Sequence, residues 1–332
     1  MRGKNESDLL ALLAPHRSLL LAVSGGPDSV ALMLLAAQWP DRRSHDIAVA
    51  TVDHGLRPEA RREAEQVGAW ANALGFPHHV LTWQGEKPRT RVQERARTAR
   101  YALLADCAGR IGAGAIVTAH HADDQAETIL FRLTRGSGVA GLAGMTAESR
   151  CGGVALLRPL LGLRKAALEE ICRRCDHDYF RDPSNIDEHY ARARLRKLRP
   201  LLAAQGLDDE ALLRLGQRAA HADAALNFCA ENARERAIVD VDSETARFDA
   251  AALRELPPEI VQRLLAGEIA RLAPLAPLRL ERLERAARRL VAALADGAKL
   301  RLTIADLLLD AQGAHVTLRP APPRRFKQKP RS

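Results

Sequence analysis

Residues Leu19–Ser29 read LLLAVSGGPDS: an apolar run leads straight into Ser24-Gly25-Gly26-Pro27-Asp28-Ser29, and the apolar helical pattern of Val30–Leu35 follows. A glycine turn between a buried strand and a helix start presents backbone N–H groups that lack helical partners, and the helix dipole favours negative charge there. Gly25 and Gly26 permit close approach, while Ser24 and Ser29 add hydroxyl donors. Asp28 is the odd member, because a carboxylate beside a phosphate repels it unless a divalent cation sits between them. The loop therefore reads as a site for a metal-bound phosphate, most simply the pyrophosphate of a nucleotide. It is not GxxxxGK[ST], and the chain has no such motif, which argues against an ordinary P-loop kinase or ATPase.

Outward from this loop, short apolar runs at Ile47–Val52, His79–Trp83 and Ala115–Ala119 alternate with helical patterns at Val30–Trp39, Pro58–Leu74, Arg91–Arg110 and Asp123–Thr134. Continuous apolar strands separated by helices specify a parallel sheet covered on both faces, an α/β Rossmann-like domain. Ligands of such sheets bind beyond the carboxyl ends of the strands, where Ser24–Ser29, Asp53-His54-Gly55 and His120–Asp124 all fall. The second half differs. It carries a helix at Leu163–Cys175, an irregular Asp178–Asn185, a basic helix at Tyr190–Ala204 and helical patterning from about Asp208, with one hairpin candidate at Lys299–Arg319. The expected division is a nucleotide-binding domain over 1–205, a smaller, mainly helical accessory domain over 206–320, and a basic tail over 321–332.

The 332 residues suffice for two cores, and 47% hydrophobic with 27% charged residues is ordinary globular composition. No apolar stretch approaches a membrane span and the N-terminus lacks a signal-peptide core, so a cytoplasmic protein is expected. A net charge of +9 suits a polyanionic partner, with arginines crowding Arg192–Arg199 and the tail. The five cysteines are scattered; Cys172 and Cys175 form a lone CxxC inside a helical pattern and are read as structural.

His120-His121-Ala122-Asp123-Asp124-Gln125-Ala126-Glu127-Thr128 follows the AIVTA strand and opens a helix. Asp124 and Glu127, three apart, share a face near the helix start. Acids there complement the dipole, and Asp123 fits an N-cap. Two histidines and three acids at a sheet's carboxyl edge nevertheless exceed what capping requires, and a metal-ligand or cationic-substrate role is expected. Arg135-Gly136-Ser137-Gly138, with Gly141 and Gly144, suits backbone lying against a ligand. Arg192, Arg194 and Arg196 cannot all face one partner; Arg192 and Arg196, four apart, form the phosphate pair. Trp39, Trp70 and Trp83 are read as core, and an aromatic content of 4% offers no evident base-stacking platform.

Together these stretches resemble the N-type ATP pyrophosphatases, whose motif is SGGxDS, and within them the tRNA(Ile)-lysidine synthetases. The resemblance is carried by Ser24–Ser29, Val52-Asp53-His54-Gly55-Leu56-Arg57, His120–Thr128 with Arg135-Gly136-Ser137-Gly138, Arg158-Pro159-Leu160-Leu161, Asp182-Pro183-Ser184-Asn185 and Tyr190–Arg196, in family order. The chain departs from the family's pattern at Arg181, where many members carry an acid, and at Ala193, where asparagine is frequent. Its part after Leu201 is shorter than in members with two C-terminal tRNA domains, so one accessory region is expected.

The resemblance implies a cytoplasmic ligase that uses ATP, Mg²⁺ and free L-lysine to convert the wobble cytidine of tRNA(Ile) with a CAU anticodon to lysidine. The cytidine C2 oxygen would attack the ATP α-phosphate, and the lysine ε-amine would then displace AMP. Ser24, Gly25, Gly26, Pro27 and Ser29 would hold the pyrophosphate end of ATP, and Asp53 and His54 would line its adenosine or the base. Asp28 would hold Mg²⁺, with Asp124 sharing it. Asp124 and Glu127 would engage lysine, making Asp28, Asp124 and Glu127 the catalytic set, with Arg192 and Arg196 on the substrate. No membrane partner is implied, and a homodimer is left open. The alternatives are cytidine 2-thiolation by a related enzyme, which would need Cys172 and Cys175, and a tRNA-binding module with a decayed nucleotide site, against which the intact loop argues.

Overall fold

The computed structural model describes residues 10–55, 59–85, 92–181 and 191–322. Leu56-Arg57, Asp182-Pro183-Ser184-Asn185, Tyr190, the side chain of Arg192 and most of the expected tail lie outside the described residues. The chain divides into two units, Met1–Ala220 and His221–Ser332, and the boundary falls inside one long helix, Asp209–Ala237.

The first unit is a doubly wound α/β sheet. Strands β1 (Ser18–Ala22), β2 (Asp46–Asp53), β3 (His78–Thr82) and β4 (Ala115–Thr118) are parallel, and β6 (Val154–Leu157) continues the parallel run beside β4. Strand β5 (Glu148–Cys151) closes the edge antiparallel to β6, giving the order β3-β2-β1-β4-β6-β5. Leu19, Leu20 and Leu21 of the central strand are fully buried, as both faces of a covered parallel sheet require. Leu19 and Leu21 pack with helices α1 (Pro27–Gln38), α2 (Ala60–Ala73) and α6 (Lys165–Arg174), whereas Leu20 faces Leu104 and Cys107 of α3 (Val92–Ile111). Helix α4 (Ala122–Leu133) follows β4 and packs Ile129 and Leu130 against Leu195 and Leu202 of α7 (Ala191–Ala204) and Leu212 of α8 (Asp209–Ala237). A single turn, α5 (Val139–Leu142), ends the glycine-rich loop after α4.

The β5–β6 hairpin was not expected from the pattern. Its strands are four residues each and only partly buried, so hydrophobic alternation is faint. The legible signal was the turn: Gly152 and Gly153 both have positive φ, +54° and +85°, the conformation a two-residue hairpin loop demands.

The second unit is less helical than the sequence suggests. It contains the end of α8, helices α9 (Ala250–Arg254), α10 (Pro258–Leu272) and α11 (Leu280–Ala295), and an antiparallel sheet ordered β7-β8-β11-β10-β9. The strands are β7 (Ile238–Val241), β8 (Ala246–Asp249), β9 (Leu300–Ile304), β10 (Leu307–Gln312) and β11 (His315–Pro320). The expected hairpin at Lys299–Arg319 is therefore three strands. Its first turn runs through Ala305 and Asp306, at φ +48° and +60°, with no glycine to announce it. Among the described residues no helix is long and apolar enough to cross a membrane.

Glu268 on α10 is 2% exposed and bridges two arginines: Arg234 Nε donates to Oε1 at 2.6 Å and Arg271 Nε to Oε2 at 2.7 Å. The two guanidinium groups are about a third exposed, so removing Glu268 leaves them partly solvated and costs about 1–3 kcal/mol. Glu268→Ala is expected to destabilise the chain by that amount in urea unfolding; a loss of less than about 1 kcal/mol would contradict the pairing.

Candidate active site

The turn after β1 is built as its sequence implies. Gly26 caps α1, Pro27 occupies its first position, and the first helical bond runs from Val30 N–H to Gly26 O at 3.0 Å. The first-turn N–H groups are left for a ligand. Ser24 N–H donates to Ser29 Oγ at 3.1 Å, and Ser29 Oγ donates to Gly26 O at 3.0 Å. The Ser29 hydroxyl is thus committed to holding the loop, and Ser24 is the hydroxyl left exposed. Gly25 has φ +87°, and a Cβ there would stand 2.6 Å from Phe180 Cδ2. Phe180 N–H also donates to Gly25 O at 2.8 Å, and its ring lies 5.1 Å from that of Trp70. Gly25 is required twice, for its backbone and for this close approach.

Helix α4 starts one residue earlier than expected, and its cap is His121, not Asp123. His121 Nδ1 accepts from Asp123 N–H at 3.2 Å, and His121 N–H donates to Asp124 Oδ2 at 3.2 Å, forming a reciprocal capping box. The Asp123 carboxylate turns elsewhere and accepts the Lys165 N–H at 2.9 Å, at the start of α6. His121 Nε2 lies 3.5 Å from Asp28 Oδ2 and 3.5 Å from Asp124 Oδ2. Burial alone would lower the His121 pKa, but the Asp28 carboxylate facing Nε2 and the charges of Asp124 and Asp123 outweigh it and raise it. Burial raises the Asp124 carboxyl above the usual range, with the His121 contact working against it and Asp28 and Glu127 adding to it.

Glu127 and Arg196, read separately from sequence, are partners. Arg196 Nε and Nη2 hold Glu127 Oε1 and Oε2 at 2.6 and 3.0 Å, and Arg199 Nη1 adds a contact at 3.3 Å. Arg199 also pairs with Asp209, which Arg164 reaches at 3.3 Å.

Ser24, Asp28, His54, Asp124, Glu127 and Arg196 all line one cleft of about 1390 Å³ beyond the carboxyl ends of β1, β2 and β4. Gly25 is not on its wall, being covered by Phe180. Asp53 is not on it either: its Oδ1 accepts Gly55 N–H at 2.8 Å, closing its own turn. Cleft residues that the sequence reading missed are Arg97 and Arg100 of α3 and the rings of Phe131, Tyr179 and Phe180. The three-residue spacing of the arginines was the available signal. Of the tryptophans, Trp39 is core; Trp70 backs Phe180, and Trp83 meets His54 edge-on at 6.1 Å.

Among the described residues no three His, Cys, Asp or Glu side chains form a group that could hold a metal by themselves. Cys172 is buried, donates to Pro27 O at 3.4 Å, and burial pushes its thiol up to about 11. It supports the loop from behind, in keeping with a structural role.

His120 is half-buried, hydrogen-bonded to Thr118 Oγ1 at 2.8 Å, and held down to about 3 by burial and by Arg100, Arg97 and Arg158. Its folded pKa lies below the unfolded value, so the unfolded chain takes up the proton first as pH falls. Stability is lost from about pH 6.5 downward, by up to about 1.4 kcal/mol per pH unit. Urea unfolding at pH 7 and pH 5 is expected to cost wild type about 1–2 kcal/mol more than His120→Gln; equal pH slopes would refute the assignment.

Residues 2–202 match the family model described as a PP-loop domain. The chain is 51% identical over 310 residues to the tRNA(Ile)-lysidine synthase of Methylobacterium sp. (strain 4-46), covering 92% of this chain and 90% of that one. It is 46% identical over 321 residues to the tRNA(Ile)-lysidine synthase of Rhodopseudomonas palustris (strain ATCC BAA-98 / CGA009), covering 93% and 92%. Among solved structures it is similar to the U34-tRNA thiolase NcsA from Methanococcus maripaludis, with a TM-score of 0.51 and 14% identity over 60% of this chain and 71% of that one; this is a likeness of fold. With relatives of this identity along more than nine-tenths of its length, the chain belongs to the tRNA(Ile)-lysidine synthase family of PP-loop proteins.

Proposed function

We propose that this chain is a cytoplasmic ligase that joins free L-lysine to C2 of the wobble cytidine of a tRNA(Ile) with a CAU anticodon. It does so through an adenylated tRNA, converting ATP to AMP and diphosphate. The observation that carries this reading is the meeting of two segments at one cleft: Ser24 and Gly26–Ser29 after β1, and His120, Asp124 and Glu127 after β4. These strands flank the point where the sheet order reverses, where open α/β sheets take their ligands.

In this reading the first-turn amides of α1 and Ser24 take the triphosphate tail. Asp28 and Asp124 fit Mg²⁺, which is commonly held by one or two carboxylates plus substrate phosphates. The buried Asp28 Oδ1 has no hydrogen-bond partner among the described residues, as a cation ligand would require. Bound there, the ion would supply charge neutralisation at the reacting phosphates. Arg97 and Arg100 add positive charge on the same wall. Adenylation supplies the leaving group, so the protein's task is to orient reactants and stabilise charge.

The lysine amine, with a reference pKa of about 10.4, must shed a proton before it attacks. Asp124, which faces the cleft without a guanidinium partner among the described residues, is placed to orient that ammonium. Glu127 is already paired with Arg196, so an incoming ammonium reaches it by exchange with that guanidinium, which Arg196 can then direct at the substrate. Arg192 is kept for tRNA phosphate. Residues 206–320 and the tail 321–332 are assigned to further tRNA contact. The thiolation alternative is not favoured, because Cys172 is buried with a raised pKa and no three metal-ligating side chains group together among the described residues.

The test incubates the purified protein with ATP, Mg²⁺, labelled lysine and a tRNA(Ile) transcript. Label is expected in the wobble nucleotide, and its absence sinks the reading. Asp28→Ala and Glu127→Ala are each expected to lower the rate by about a hundredfold or more, while Cys172→Ser retains it.

A further inference from the structure

We propose that His121 is the positioning residue that holds the PP-loop carboxylate and the α4 carboxylate in the arrangement that binds metal–nucleotide. This rests on the reading of the cleft as an ATP–Mg²⁺ site. His121 is 5% exposed and is not on the cleft wall, whereas Asp28 and Asp124 are. It therefore stands behind the two acids rather than among the reacting groups.

The imidazole is fixed from one side and reads two elements from the other. Nδ1 accepts the Asp123 N–H, so in this contact the ring proton sits on Nε2. Nε2 is 3.5 Å from Oδ2 of Asp28, on α1, and 3.5 Å from Oδ2 of Asp124, on α4. One donor thus lies between two anions that would otherwise repel each other. Asp124 is tied to the same residue a second time through the His121 backbone N–H. Among the described residues His121 is also the only group hydrogen-bonded to or ion-paired with the Asp28 carboxylate. Capping alone does not account for the imidazole, since serine, threonine, aspartate and asparagine are the residues helix starts favour. Only a side chain that accepts at the cap and donates some 2 Å further on does both tasks. Groups standing behind metal ligands in this way typically change metal affinity by about 10–100-fold when removed.

Two variants of the full chain separate the tasks. His121→Asn keeps a capping oxygen and removes the distal donor; His121→Gln keeps a distal donor and loses the cap. Binding of a non-hydrolysable ATP analogue is measured by calorimetry with Mg²⁺ and with EDTA, alongside thermal unfolding. For His121→Asn the chain is expected to stay folded at the assay temperature and to bind in EDTA as wild type does, while the affinity gained on adding Mg²⁺ falls about tenfold or more. For His121→Gln the midpoint is expected to fall while most of that gain survives. A wild-type gain in His121→Asn overturns the proposal, as does loss of the gain in both variants in step with stability. A wild-type protein that binds the analogue no better with Mg²⁺ overturns it too. Wild type that shows the gain yet makes no lysidine refutes the proposed reaction and leaves the His121 assignment to be decided by the variants.

Discussion

Two carboxylates meeting on one cleft is the electrostatic problem around which residues Met1–Ala220 are arranged. Asp28 sits in the first turn of α1 and Asp124 in the first turn of α4. Each is stabilised by the positive end of its own helix. The two helix starts converge because β1 and β4 are neighbours and parallel, so both connections leave from the same edge of the sheet. A buried imidazole then stands between the acids. The apolar central strand dictates the sheet, the sheet brings the helix ends together, and the helix ends bring together charges that need a cation or a donor between them.

The three acids of α4 look alike in sequence and are used differently. Asp123 serves the start of α6, accepting the Lys165 N–H. Asp124 serves its own helix through the capping box and faces the cleft. Glu127 is held by Arg196 and Arg199 of α7. The chain of charges continues from Arg199 through Asp209 to Arg164, which returns to within 4.0 Å of Asp123. Such partly buried pairs contribute little net stability, because desolvation offsets attraction. Their geometric effect is larger: they hold α4, α6, α7 and α8 in one register around the cleft.

Much of this was legible from residue pattern, and the failures share a cause. The central strands β1, β2 and β4 stand out because burial on both faces leaves little polar alternation. The PP-loop stands out because glycine, serine and an acid are needed together at one helix start. What escaped were features set by three-dimensional neighbours. The turn at Ala305 and Asp306 adopts positive φ without glycine, so composition gave no sign of it. Asp53 reads as a site residue from its place after β2, yet its carboxylate closes its own turn. His121 was grouped with the functional acids, but its role as cap depends on which way the ring nitrogens point. Arg97, Arg100 and Phe131 reach the cleft from helix faces that a linear pattern cannot orient.

The same neighbours decide which acid faces the cleft without a cation beside it. Glu127 has its oxygens engaged by the guanidinium groups of Arg196 and Arg199. Asp123 spends its oxygens on a backbone amide and sits near Arg164, and it is not on the cleft wall. Asp124 differs on both counts. It faces the cleft, burial raises its pKa, and its donors are the backbone N–H and the imidazole of His121 rather than a guanidinium. In the proposed reaction a phosphate and a cation occupy the cleft and an ammonium follows, so the acid that meets them must be open on the cleft side; of the three acids on α4, Asp124 alone faces the cleft without a guanidinium partner among the described residues.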